Sequence, residues 1–249
     1  MTIFRPNLCA MTDFDPAKIK VIGFDADDTL WVNEPFYRET EAKFCHLLSG
    51  YGTADDINRA LYRVETGNLD VYGYGNKAFM LSLIETAIEV SGGEVTSAGI
   101  ARIIELGKQQ ISTHNPLLPG VPGVLALISR HYRLIVATKG DLLDQERKLR
   151  NSGISGFFHH VEIMSDKTEK HYRRLLHHLD VHPGEFLMVG NSLRSDVLPV
   201  LTLGGYAIHV PFQVTWQHEE VHPDEMPGGH FFTVDTLEEI LPILGLEVW

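Results

Sequence analysis

Apolar and polar positions divide the chain into two kinds of pattern. Lys20-Val-Ile-Gly-Phe-Asp25 is apolar nearly throughout and bounded by polar residues, which reads as a strand over 20 to 25 buried on both faces. Residues 1 to 18 ahead of it carry no period and read as an irregular lead-in. From 34 to 112 the period is helical. Glu34 to Ser49 places Phe36, Phe44, Leu47 and Leu48 near helical spacing and stops at Gly50 or Gly52. A second helix begins at Thr53 or Ala54 with Thr53 as cap, and Asn76 to Val90 and Thr96 to Ile111 are two more, Thr96 capping the last. Gly67 to Gly75 is too rich in glycine for a helix interior. Its Tyr72-Gly-Tyr-Gly75 reads either as a bend between helices or as a substrate-contacting loop.

Beyond the turn-rich Asn115-Pro-Leu-Leu-Pro-Gly-Val-Pro-Gly123 the pattern changes to short apolar runs alternating with helices. The strands are Arg133 to Thr138, His160 to Met164, Glu185 to Gly190 and Tyr206 to Val210. The helices are Val124 to His131, Asp141 to Ser152, Thr168 to Leu179, Ser195 to Leu203 and Thr236 to Leu244, with a long loop from Pro211 to His230. Alternating strands and helices specify a parallel α/β sheet with right-handed crossovers. The expected division is a core from 1–33 and 117–249 and a helical insert from 34–116.

Composition narrows the classes. With 249 residues and 44% hydrophobic content the chain has enough apolar surface for a large core. Twenty-one basic against 33 acidic residues give a net charge of −12, which argues against non-specific nucleic-acid binding. Only Cys9 and Cys45 are present, without metal-ligand spacing, consistent with a reduced cytoplasmic setting. The first ten residues lack the continuous apolar region of a signal peptide, and no run reaches the roughly 20 apolar residues of a membrane span. The 13 histidines form adjacent pairs (His159-His160, His177-His178) or lie scattered in a loop (His218, His222, His230), so no transition-metal site is read from them.

The chemistry collects at strand ends. Parallel sheets form sites at the carboxyl ends of their strands. Here those ends carry Asp25-Ala-Asp-Asp-Thr29, then Thr138-Lys139-Gly140, then Asp166-Lys167, then Gly190-Asn191-Ser192 with Asp196 a turn further on. Clustered carboxylates at the end of a buried strand repel one another and lose hydration unless a cation or donors compensate. Carboxylates with an amide oxygen make a hard oxygen site suited to Mg²⁺. A lysine and a threonine hydroxyl nearby suit the oxygens of a phosphoryl group. Asp25 is then the candidate in-line nucleophile and Asp27 the candidate acid and base.

Taken together, Asp25-Ala-Asp-Asp-Thr29, Thr138, Lys167 and Gly190-Asn-Ser-x-x-x-Asp196 resemble the four motifs of the haloacid dehalogenase-like superfamily. The resemblance covers roughly 18 to 33 and 117 to 249, and the helical insert falls where many members carry a mobile cap. It implies a Rossmann-like core and Mg²⁺-dependent phosphatase activity through an aspartyl-phosphate. Asp25 and Asp27 would be catalytic, Thr138, Lys139 and Lys167 would hold substrate, and Asp25, Asp27, Asn191 and Asp196 would hold Mg²⁺. The expected substrate is a small phosphorylated metabolite, and neither nucleic acid nor membrane is an expected partner; the oligomeric state is open. Two departures stand out. Asn191 replaces the usual Asp of the fourth motif, removing one negative charge, and Lys167 lacks the proline that often follows, which leaves Lys170 as an alternative. A 2-haloacid dehalogenase, a sugar-phosphate mutase and a non-catalytic protein keeping the fold are the competing readings. Asp27 speaks against the first, because halide departure needs no proton.

Overall fold

The computed structural model describes residues 14–221 and 231–246. Cys9, His222 and His230, with most of the lead-in and the end of the long loop, lie outside the described residues. By its contacts the chain divides into two compact units. The first holds the described residues up to Val32, Pro116–Thr138 and those from Leu149 on; the second holds Asn33–Asn115 and Lys139–Lys148.

The first unit is a six-stranded parallel sheet, order β3-β2-β1-β4-β5-β6, with helices on both faces. Its strands are β1 (Val21–Phe24), β2 (Arg133–Lys139), β3 (His160–Met164), β4 (Phe186–Gly190), β5 (Tyr206–His209) and β6 (Phe231–Thr233). Successive side chains of a strand point to opposite faces. Ile22, Phe24, Leu134, Val136, Leu187 and Val189 therefore pack on α5 (Val121–Ile128) and α9 (Ile240–Ile243). Val21, Ile135, Phe186 and Met188 pack on the other side, against Tyr172, Leu175 and Leu179 of α7 (Glu169–Leu179). Every residue of β1 is buried, as an apolar strand between two layers of helices requires. β1 pairs with β2 on one side and β4 on the other, so the crossover direction reverses at its carboxyl end.

β6 was not expected. Three residues carry too little pattern to reveal a strand, and pairing of Ala207 with Phe231 and His209 with Thr233 makes it one. The helix expected from Ser195 is instead a π-turn, Leu193–Val197, continued by α8 (Leu198–Thr202). Among the described residues no helix is long and apolar enough to cross a membrane.

The second unit is helical: α1 (Glu34–Leu47), α2 (Ala54–Tyr72), α3 (Asn76–Val90) and α4 (Ser97–Ser112). Phe44, Leu48, Ile57, Leu61, Phe79, Leu83 and Ile103 form its core. Thr53 and Thr96 cap α2 and α4, accepting the Asp56 and Gly99 N–H groups. α2 runs through Gly67, against expectation. An interior glycine costs about 1 kcal/mol, and side chains beyond it offset that: Asn68 and Tyr72 bond Glu85 of α3 at 2.9 and 2.6 Å. The helix stops at Gly73, whose φ is 71°. The segment Lys139–Lys148, which includes the start of α6 (Leu142–Ser152), groups with these helices through polar ties. Asn76 bonds Asp144 at 2.6 Å, Lys77 pairs with Asp141 at 3.0 Å, and Lys148 donates to Asn33 at 2.8 Å. Gly75 permits the close approach: φ is 109°, and a Cβ there would lie 2.7 Å from the Asp141 nitrogen.

Candidate active site

Asp25 leaves β1 still paired, its N–H on the Val189 carbonyl at 2.8 Å. The chain then coils once, with Leu30 N–H on the Ala26 carbonyl at 2.8 Å. Asp28 takes a left-handed φ of 62° and donates its N–H to Trp31 O at 2.7 Å. Asp and Asn tolerate that region best among side-chain-bearing residues, so Asp28 shapes the turn. Thr29 joins this turn to the one after β4. Its hydroxyl lies 3.1 Å from Asp25 Oδ2 and 3.3 Å from Asn191 Oδ1, and it accepts the Asn191 N–H at 3.1 Å.

Lys167 is the centre of charge. It is 3% exposed, and Nζ donates to Asp25 Oδ1 at 2.5 Å and to Asp196 Oδ1 at 2.6 Å. Burial alone would lower its pKa; the Asp196 and Asp25 carboxylates outweigh burial and hold it above the ordinary lysine value. Lys170 is exposed in the first turn of α7. Burial raises the Asp25 pKa to about 7; Lys167 opposes that shift, while Asp196 and Asp27 add to it. Asp196 is 1% exposed, and its Oδ2 accepts the Ser192 N–H at 3.1 Å. A Cβ on Gly190 would lie 2.2 Å from that oxygen, so only glycine lets β4 end against this carboxylate.

Thr138 is buried at the end of β2, two residues past the Phe24–Val136 pair and so beside the start of the turn that follows Asp25. Lys139 belongs to the second unit, where its ammonium sits 4.1 Å from the Tyr74 ring centre. The Tyr72–Gly75 bend thus contacts the segment after β2.

Several participants carried no sequence signal. Trp31, readable as core or as pocket wall, is buried and donates Nε1–H to Asp27 Oδ1 at 2.6 Å. Tyr172 donates to the Ser195 carbonyl at 3.1 Å; burial lifts its pKa well above the ordinary phenol value, keeping the donor neutral. His209 Nε2 meets the Asn191 carbonyl at 3.0 Å, and burial lowers its pKa. None of the three shows a residue type and spacing that marks a site. The Trp31 bond fixes the direction of the Asp27 side chain. Trp31→Phe is expected to lower kcat about tenfold with little change in KM, as loss of the bond that orients Asp27 should. Steady-state kinetics of the variant beside the wild type check it.

Among the described residues no three His, Cys, Asp or Glu side chains converge as ligands. The donor set is mixed instead. Asp25 and Asp196 offer carboxylates facing one another across one ammonium, and Asn191 an amide oxygen beside Thr29. All are hard oxygens, which fits Mg²⁺ and not a softer metal.

The family model described as "Hydrolase: haloacid dehalogenase-like hydrolase" matches residues 19–200. The chain belongs to the haloacid dehalogenase-like hydrolases. A haloacid dehalogenase-like family hydrolase from Xanthomonas campestris is 37% identical, with a TM-score of 0.81 over 94% of each chain. A predicted phosphoglycolate phosphatase from Haemophilus somnus and a 2-haloacid dehalogenase from Pseudomonas syringae are each 18% identical. Both have a TM-score of 0.60 over 91% of this chain and 98% of theirs. These two share the fold alone. No curated protein sequence matches the chain significantly. In this hydrolase the four strand-end motifs fall within or beside the parallel sheet, at the carboxyl ends of β1, β2 and β4 and in the turn after β3.

Proposed function

We propose that this haloacid dehalogenase-like hydrolase is a cytoplasmic phosphatase acting on a small phosphomonoester through an aspartyl-phosphate at Asp25. The observation that carries the reading is Asp27: a second carboxylate two residues past the nucleophile, held in one direction by the Trp31 indole at 2.6 Å. An alkoxide leaving group needs a proton, whereas a halide does not. The alternative, dehalogenation, leaves this carboxylate without a task.

Asp25 attacks phosphorus, and the bond to the substrate oxygen breaks as Asp27 delivers its proton to that oxygen. Asp27 then takes a proton from water, which attacks the phosphorus and returns Asp25 with release of inorganic phosphate. Thr138 and Lys167 hold the non-bridging oxygens, and Lys139, by its place after Thr138, offers its backbone N–H. Asp25, the Asp27 carbonyl, Asn191 and Asp196 would hold Mg²⁺, which when bound supplies positive charge beside the transferring group and keeps Asp25 ionised.

The test is hydrolysis of p-nitrophenyl phosphate with Mg²⁺, and with EDTA. Mg²⁺-dependent phosphate release that EDTA abolishes is expected. Metal-independent halide release from a 2-haloacid, with no phosphate release, would establish the dehalogenase instead, and an isomeric sugar phosphate without free phosphate would establish a mutase.

A further inference from the structure

Glu219 lies in a loop well beyond the last motif, yet its carboxylate reaches back to it. Oε2 accepts the Ser192 and Ser195 hydroxyls, each at 2.5 Å. These serines flank the stretch between Asn191 and Asp196, and both are buried. The loop carrying Glu219 is itself fastened there: Arg194 Nη1 donates to the His218 carbonyl at 2.9 Å, and Glu219 N–H donates to Trp216 O at 2.8 Å.

The turn needs such support. It is a π-turn, with Val197 N–H on the Ser192 carbonyl at 3.3 Å, and it leads into α8, which is only five residues long. π-turns are rare and poorly self-supporting. A serine hydroxyl has one proton, and donating it to Glu219 leaves the Ser192 lone pairs to accept the Ser195 N–H at 3.0 Å. One carboxylate thus fixes both hydroxyls and the first cap of the turn. From the other side Tyr172 grips the Ser195 carbonyl. Charge points the same way. Asn191 gives the turn one negative charge fewer than an Asp would, and Glu219 returns one to the same turn without taking up a ligand position.

We infer that Glu219 is the positioning residue of the Asn191–Asp196 turn, holding Asn191 and Asp196 in register for a divalent cation. The inference rests on the proposed Mg²⁺ site. Groups that orient metal ligands typically matter about 10- to 100-fold in affinity when removed.

Calorimetric titration of the unliganded protein with Mg²⁺ tests it, on the wild type, Glu219→Ala, Glu219→Gln and Ser195→Ala, each paired with a Mg²⁺-free melting curve. Glu219→Ala is expected to weaken Mg²⁺ binding about tenfold. Glu219→Gln, which keeps an acceptor oxygen but loses the charge, and Ser195→Ala are expected to fall between it and the wild type. The Mg²⁺-free melting temperature should fall by only a few degrees, because two buried hydroxyls lose their acceptor while the apolar core stays packed. If the wild type binds Mg²⁺ and every variant binds it within twofold, the positioning role is overturned and the phosphatase reading stands. If the wild type shows no binding, both fall. Should Glu219→Ala not fold, Glu219→Gln and Ser195→Ala decide by the same twofold criterion.

Discussion

Asp25→Asn is expected to lower kcat on p-nitrophenyl phosphate by at least about 10⁴-fold, the scale seen when a nucleophile is removed. An amide has the carboxylate's shape: its oxygen can accept from Lys167 while its NH2 donates to the Thr29 hydroxyl oxygen, so the buried contacts at 2.5 and 3.1 Å have a replacement. The carboxyl that burial raises to about 7 disappears, and Lys167 keeps Asp196 as its partner at 2.6 Å. Folding should survive, which separates a chemical loss from a structural one. Mass spectrometry of acid-quenched protein should find a phosphoryl adduct on the wild-type Asp25 peptide and none on the variant. Activity within tenfold of the wild type would place the nucleophile elsewhere.

Lys167→Met has the largest expected effect on stability. Methionine fills similar space but leaves Asp25 and Asp196, at the two ends of the same ammonium, buried without it. Removing one partner from a buried ionic group costs about 3–5 kcal/mol. The cost depends on pH, and its sign follows from what remains around Asp25. Burial, Asp196 and Asp27 all raise its pKa, and the lysine that opposed them is gone. A carboxyl whose folded pKa is raised favours the folded state when protonated and penalises it as pH rises through that pKa. The deficit against the wild type should therefore grow between pH 5 and pH 8 in the absence of metal. Urea denaturation at both pH values, in EDTA, measures it. An equal deficit at both would mean that packing, not charge, explains the loss. Mg²⁺ should recover part of the stability at pH 8, because a ligand that binds only the folded state stabilises it. Activity should fall by about 10³-fold, as when a group neutralising a transition-state oxyanion is removed.

Strand ends were the legible part of this chain. An apolar run ending in acid marks both a buried β1 and the cost that its carboxylates impose, and both follow from residue type and position alone. The same holds for the alternation that specifies the sheet and for the threonine caps of α2 and α4, since these patterns are local. Gly67 misled, because its local cost was outweighed by Asn68 and Tyr72 reaching Glu85 on the next helix. β6 was invisible because a three-residue strand is defined by its neighbour. Segment 139–148 read as part of the sheet half and groups with the helices through side-chain bonds to Asn33, Asn76 and Lys77.

The sequence by itself determined the fold class, the family and the order along the chain of the candidate site residues Asp25, Thr138, Lys167, Asn191 and Asp196. Those depend on short-range patterns: a buried strand, a polar end, a following helix. Only the tertiary structure decided that Lys167 and not Lys170 stands between Asp25 and Asp196, that Trp31 aims Asp27, and that Glu219 fastens the turn carrying Asn191 and Asp196. In the first and last of these the partners lie far apart along the chain. Trp31 follows Asp27 closely but meets it only because Asp28 turns the backbone left-handed. A hydrogen bond depends on distance in space, and the chain's path, not its spelling, sets that distance.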